Sequence, residues 1–231
     1  MPDFENTFEF EYKQSTMHHL QKSSDPKLLL LSGMHGDEYE IISCVLAYIK
    51  NHDAILDDYL FIPEVSPSAV AQRTRKNAWG HDTNRSFFVP AIDPEVAAFM
   101  KIVSDFHFDV CIDFHEDADR TKGCYLYDSD VFSAQQLTHL RAAITKTGAS
   151  LYTGIDDPAD ANLGWHIRDG YISMPLKSIP PIAGFSGRWL LEKNIVKRAF
   201  TVEMPGQALP FLKQKLVEAI ITALLPLVSH P

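Results

Sequence analysis

The sequence predicts an α/β fold, a single domain over residues 1–231 built on a mostly parallel, twisted mixed sheet with helices on both faces. Three observations predict it. Apolar runs of strand length alternate along the chain with segments of helical periodicity, the pattern of a sheet covered by crossover helices. The first such run, Lys27 to Met34, is continuously apolar, as a strand buried on both faces requires. The chain of 231 residues, 45% of them hydrophobic, can bury one sizeable core.

The elements follow in order. Pro26 and Gly33 bound the first strand. Glu38 to Asn51 reads as a helix whose apolar residues, Ile41, Ile42, Cys44, Val45, Ala47, Tyr48 and Ile49, are too many for a narrow stripe and suit packing on a sheet. Asp58 to Val65 reads as the next strand, and the polar stretch that follows, through Ser86, as functional loop with neither period. Asp93-Pro94 supplies an N-cap and a first-turn proline for a helix toward His107. Phe108 to Phe114 is β-rich, Gly123 to Asp128 is a short strand, and Val131 to Thr147 is helical with Gly148 as its stop. Residues 149–183, rich in Asp, Gly and Pro, carry no clear period and read as a wall of the substrate site. Arg188 to Ile195 reads as a helix, Arg198 to Met204 as a core strand and Ala208 to His230 as the closing helix. The chain shows no internal repeat and no low-complexity linker.

The formal charge of -9 and the pI near 5.5 disfavour a nucleic-acid surface. Cys44, Cys111 and Cys124 are odd in number and lie in apolar segments, so reduced, buried thiols are expected. The acidic start MPDFENTFEFEYK lacks a signal-peptide apolar stretch, and no run reaches the roughly 20 apolar residues of a membrane span, so a cytoplasmic protein is expected.

Chemistry concentrates where strands end. In LLLLSGMHGDE, His35 and Glu38 sit three positions apart between a strand and a helix, close enough to share an ion, with Gly33 and Gly36 permitting the turn. His115, in CIDFHED, follows another strand. Alone, each is a weak signal: a lone histidine is more often a satisfied one, and Asp113 and Glu116 are either solvated acids or partners orienting its ring. Together they read as a single zinc site with two histidines and one carboxylate, a set that leaves a coordination position for water and points to hydrolysis. A second ion, on Asp37, Glu116 or Asp117, is not demanded by the spacing. Arg75, Asn84 and Arg85 form either a basic surface loop or, because their segment joins the first ligands to the third, a rim offering guanidinium forks to a carboxylate or an oxyanion. Glu203, in AFTVEMPG at a strand end, needs a partner or a function: an ion pair with Arg75, Arg85 or Arg188, or the role of general base.

This ordered set resembles the zinc carboxypeptidases, the carboxypeptidase A-like family, over residues 28–206. In that family an H-x-x-E motif and a later histidine hold zinc, an arginine some nine residues before an Asn-Arg pair binds the scissile carbonyl, and a glutamate on a late core strand is catalytic. The resemblance implies zinc ligation by His35, Glu38 and His115, carbonyl binding by Arg75, substrate-carboxylate binding by Asn84 and Arg85, and catalysis by Glu203. The chain is short for the family, and Pro180-Pro181 stand near where the digestive members carry a mobile tyrosine, leaving Tyr152, Tyr171 and Tyr125 as candidates by elimination. Counted back from Glu203, the position that sets side-chain preference falls at Arg188, which suits an acidic side chain or a second carboxylate, as in diaminopimelate-containing peptides.

The expected function is therefore zinc-dependent hydrolysis of a peptide or peptide-like amide beside a carboxylate-bearing residue. Two alternatives stand: an N-acyl amino acid deacylase resembling the aspartoacylase and succinylglutamate desuccinylase group, and a peptide-binding module that kept the fold without turnover. Neither a nucleic acid nor a membrane is an expected partner.

Overall fold

Leu28–Leu31 form a four-residue strand, β3, in which Leu28 and Leu30 enter one core while Leu29 and Leu31 enter another. Period-two alternation thus divides an unbroken apolar run between the two faces of a sheet. The structure is a computed structural model, and it describes residues 7–12, 15–56, 58–117 and 123–228.

The main sheet has eight strands: β1 (Thr7–Tyr12), β2 (Ser15–Gln21), β3, β4 (Tyr59–Ile62), β5 (Phe108–Asp117), β6 (Tyr125–Asp128), β9 (Tyr171–Ser173) and β10 (Val196–Pro205). Their order is β1-β2-β4-β3-β5-β10-β6-β9. The four central strands β4, β3, β5 and β10 are mutually parallel, β6 pairs with β9 in parallel, and the β1-β2, β2-β4 and β10-β6 pairs are antiparallel. A separate two-stranded ribbon joins β7 (Gly154–Ile155) to β8 (His166–Ile167).

Helices α1 (Glu40–His52), α4 (Ala134–Lys146) and α6 (Pro210–Leu224) cover one face, packing Val45, Ile144 and Leu216 onto Leu30, Ile112 and Val202. Helices α3 (Pro94–Val103) and α5 (Ser186–Glu192) cover the other, burying Phe99, Trp189 and Leu190. Sequence signals explain two of the ends. Asp93 accepts hydrogen bonds from the Glu95 and Val96 amides ahead of Pro94, and Ser133 and Gln136 form a reciprocal capping box that starts α4. The mostly parallel mixed sheet with helices on both faces is the expected fold class.

Several boundaries differ from the sequence reading. A β1-β2 hairpin precedes the first expected strand, and a short helix, α2 (Pro67–Gln72), lies in the stretch read as loop. His115 lies within β5 rather than after it, because that strand continues to Asp117. Arg188 lies inside α5, which starts at Ser186 and ends before Ile195. The closing helix ends at Leu224, followed by a 3₁₀ turn at Leu225–Leu227. Residues 1–6 of the acidic start and residues 229–230 of the expected last helix lie outside the described residues.

Both glycines near the first ligand pair are needed, for different reasons. Gly33 has φ +60°, a left-handed conformation that disfavours other residues. Gly36 has no room for a side chain: a Cβ there would sit 1.8 Å from the Ala69 carbonyl oxygen of α2.

Candidate active site

His35 precedes a 3₁₀ turn, Gly36–Glu38, that leads into α1. This turn brings Glu38 Oε1 to 2.6 Å from His35 Nδ1. From β5, His115 Nδ1 approaches Glu38 Oε2 at 2.8 Å. All three side chains are nearly sealed from solvent, with residue exposures of 2% for His35, 6% for Glu38 and 3% for His115. One donor atom from each lies within 4.8 Å of the other two, the only such group of three or more among the described residues.

Each ring has a carboxylate behind it. Asp82 Oδ1 lies 3.1 Å from His35 Nε2, and Asp113 Oδ2 lies 3.3 Å from His115 Nε2. The Asp82 hydrogen bond fixes the His35 ring with Nδ1 toward Glu38, whereas the Asp113 contact is an ion-pair approach that leaves His115 Nε2 without a hydrogen-bond partner. Of the two acids the sequence left open beside His115, Asp113 is the one that approaches its ring. Glu116 is not: its Oε2 accepts from the Glu40 and Ile41 amides at 3.1 and 3.3 Å, capping α1, and Lys213 pairs with its other oxygen. Asp82 was missed, although it stands two residues before Asn84-Arg85 in an Asp-x-Asn-Arg run that could have signalled it. Ser186 was also missed. Its hydroxyl donates to Asp113 at 3.2 Å and its amide to Asn84 Oδ1 at 2.9 Å, tying the acid beside His115 to the Asn-Arg pair.

Charge in the cluster follows from this packing. Burial alone would raise the Glu38 carboxyl, yet the two histidines hold it far below the usual range. Burial alone would lower the histidines, yet Glu38 and Asp82 raise His35, and Asp113 and Glu38 raise His115 further. A set of two imidazoles and a carboxylate, converging within 4.8 Å, fits a divalent cation such as zinc.

A cavity of about 660 Å³ opens beside the cluster, and His35, Glu38, Arg75, Asn84, Arg85, His115, Arg188 and Glu203 all line it. Its floor is a cross-strand ladder. Glu203 on β10 pairs with Tyr125 on β6, Thr201 pairs with Tyr127, and the Ala199 amide donates to Ser129. These alternate positions run about 13 Å along the strand from the His-Glu-His cluster. Glu203 lies opposite His115 in the β5 register. Burial pushes its carboxyl up to about 8, with Glu38 and Asp117 adding to the rise and the histidines opposing it.

The ion-pair alternatives for Glu203 are taken up elsewhere, since each arginine has another acid. Arg75 Nε and Nη2 both lie 3.0 Å from Asp82 Oδ2, and its Nη1 lies 3.8 Å from Glu38. Arg85 pairs with Asp160, and Arg188 with Glu192. Arg188 also donates to the Leu176 carbonyl at 2.9 Å and to that of Ile179, leaving its buried Nε without a partner. Of the tyrosines, Tyr125 and the unanticipated Tyr127 line the cavity, whereas Tyr152 donates to the Ile155 carbonyl and Tyr171 to Asp128. Pro181 begins a 3₁₀ turn ending at Ala183.

Neither a protein-family model nor a curated protein matches the sequence. Solved structures do match. A candidate metallopeptidase from Shewanella amazonensis superposes with a TM-score of 0.74 at 21% identity, over 96% of this chain and 87% of that one. A metallo-carboxypeptidase from Burkholderia cenocepacia gives 0.65 at 15% identity, over 97% of this chain and 65% of that one. The fold is that of the metallo-carboxypeptidases. A succinylglutamate desuccinylase/aspartoacylase from Rhodobacter sphaeroides shares this carboxypeptidase fold at a TM-score of 0.57 and 16% identity, over 93% of this chain and 60% of that one. The chain spans less than two thirds of the latter two proteins. Within this carboxypeptidase fold the converging His-Glu-His group occupies the carboxyl end of the sheet, where open α/β sheets gather their ligands. No helix among the described residues is long and apolar enough to cross a membrane.

Proposed function

We propose that the protein is a zinc-dependent metallocarboxypeptidase that hydrolyses a peptide or peptide-like amide beside a carboxylate-bearing residue. One observation carries this reading: the His35-Glu38-His115 group opens onto the same cavity as Glu203 and three arginines. A zinc ion held by the three ligands supplies Lewis acidity, polarising a carbonyl and activating water.

The chain's own residues do the rest. Glu203 accepts the proton of the attacking water and returns it to the leaving amine, and a carboxyl raised toward neutrality suits a group that must do both. Arg75, with 47% of its side chain exposed beside Glu38, stabilises negative charge developing on the scissile carbonyl oxygen. Arg85 receives the substrate carboxylate. Asn84, whose Oδ1 is committed to the Ser186 amide, offers its amide N–H groups to the same carboxylate. Both contribute orientation. Arg188 favours an acidic side chain or second carboxylate through its charge, though such a group must compete with Glu192 for the guanidinium.

The deacylase is the second reading, favoured by the shared fold of the Rhodobacter sphaeroides structure. Chelation and zinc repletion, assayed in parallel on acidic dipeptides and acyl-amino acids, separate the two. Activity lost on chelation, restored by zinc and at least about tenfold greater on the peptides is the expected result; ordering of the substrates the other way favours the deacylase, and activity indifferent to chelation overturns both.

A further inference from the structure

Given the reading of Arg85 as the substrate-carboxylate anchor, we propose that Asp160 is a positioning residue that holds the Arg85 guanidinium with its free fork toward the cavity. Arginine carries five N–H donors. Arg85 Nε donates to Asp160 Oδ2 at 3.2 Å, its Nη2 donates to the same oxygen, and its Nη1 donates to the Asn84 carbonyl at 3.0 Å. Three donors are used, and one remains on each Nη. Two N–H groups on adjacent Nη atoms match the two oxygens of a carboxylate.

The side on which Asp160 binds distinguishes support from competition. Arg85 lines the cavity and Asp160 does not, so the acid grips the guanidinium from outside. The Phe185 ring, 4.6 Å from the guanidinium carbon, fixes the plane, and Asp160 fixes the rotation within it. Asp160 is itself restrained: its Oδ1 accepts from the Asn162 amide at 2.8 Å and from the Asn162 side chain at 3.3 Å.

The segment carrying Asp160 is anchored to the cavity floor. Asp156 Oδ1 accepts from the Gly164 and Trp165 amides at 2.7 and 2.6 Å, closing residues 156–165 into a loop whose ends continue into the β7-β8 ribbon. Tyr127, part of the floor ladder, donates to Asp156 Oδ2 at 2.5 Å. A continuous set of contacts therefore runs from β6 through Asp156 and the loop to Asp160 and Arg85. The segment without a readable period in the sequence orients the carboxylate anchor.

The test uses zinc-loaded Glu203→Gln protein, so that binding is measured without turnover, with acetyl-alanyl-glutamate and its C-terminal carboxamide as probes in calorimetric titrations. The starting protein is expected to prefer the acid. Adding Asp160→Asn should weaken the acid about tenfold, leave the carboxamide and the bound zinc unchanged, and be partly rescued by Asp160→Glu. Asn162→Ala, which loosens Asp160 without removing its charge, should give a smaller loss of the same sign and serves if the Asn variant fails to fold. Unchanged affinity for the acid overturns the proposal, and tighter binding does so by showing that Asp160 competes for the fork. Equal binding of acid and carboxamide before Asp160 is changed overturns the reading of Arg85 itself, and the role of Asp160 with it.

Discussion

The His-Glu-His cluster and the arginine rim of the cavity are built on opposite principles. His35, Glu38 and His115 are at most 6% exposed and come from strand ends or the turn directly after one. Arg75, Arg85 and Arg188 come from a loop, a 3₁₀ turn and a seven-residue helix, and each is held by a separate acid: Asp82, Asp160 and Glu192. The cluster takes its precision from the sheet, whereas the rim takes it from charge pairs between side chains. Pre-paired arginines also keep three positive charges in one cavity from repelling one another while substrate is absent.

The largest expected effect lies where the two regions meet. Glu203→Gln should lower kcat by about 10²- to 10⁴-fold, the usual range for a general acid-base group, with bound zinc unchanged. The same substitution tests the electrostatics in the metal-free protein. The folded carboxyl sits near 8 against an ordinary 4.5, so its charge opposes folding increasingly as pH rises between those values. Metal-free wild-type protein should therefore lose thermal stability from pH 5 to pH 8 relative to the Gln variant, and parallel melting curves would show that burial does not raise the Glu203 carboxyl.

Next comes the rim. Arg75→Ala should cost about 2.7–4 kcal/mol in kcat/KM, the worth of one oxyanion donor, while leaving stability nearly unaltered. A loss confined to KM would reduce Arg75 to a binding residue. The cluster should respond the other way: Gly36→Ala, with no space against Ala69, should destabilise the fold by about 1–3 kcal/mol by denaturant titration and weaken zinc binding through the displaced turn. A stable variant with full zinc affinity would show that this turn yields more than its packing suggests. The smallest effect belongs to Arg188→Leu, expected to shift preference from acidic to apolar side chains by about tenfold, roughly 1.4 kcal/mol. Unchanged preference would confine Arg188 to holding the 176–179 carbonyls.

The cluster was the legible half. An apolar run ending in Gly-Met-His-Gly-Asp-Glu carries its own geometry, because strand, turn and helix are local and His35 and Glu38 lie three residues apart. Glu203 was legible for a related reason: a carboxylate at the end of an apolar strand must be explained. The rim's arginines could be named from the sequence, yet their partners could not. Arg85 and Asp160 lie 75 residues apart, and no period or turn signal links them. Asp82 shows the intermediate case: it is near Arg75 in sequence, but its bond to His35 spans 47 residues. The β1-β2 hairpin was missed although TFEFEY alternates apolar and acidic residues, since pairing with β2, and of β2 with β4, is a tertiary event.

By itself the sequence determined the fold class, the covered parallel core and the members of the converging His-Glu-His group, because burial and short-range turn chemistry are written in residue order. Only the tertiary structure decided which nitrogen of each histidine faces the cluster, which acid restrains each arginine, and that residues 149–183 fold back to Arg85. Those choices depend on contacts between segments distant in the chain, whose directions and distances are set by packing and not by spacing.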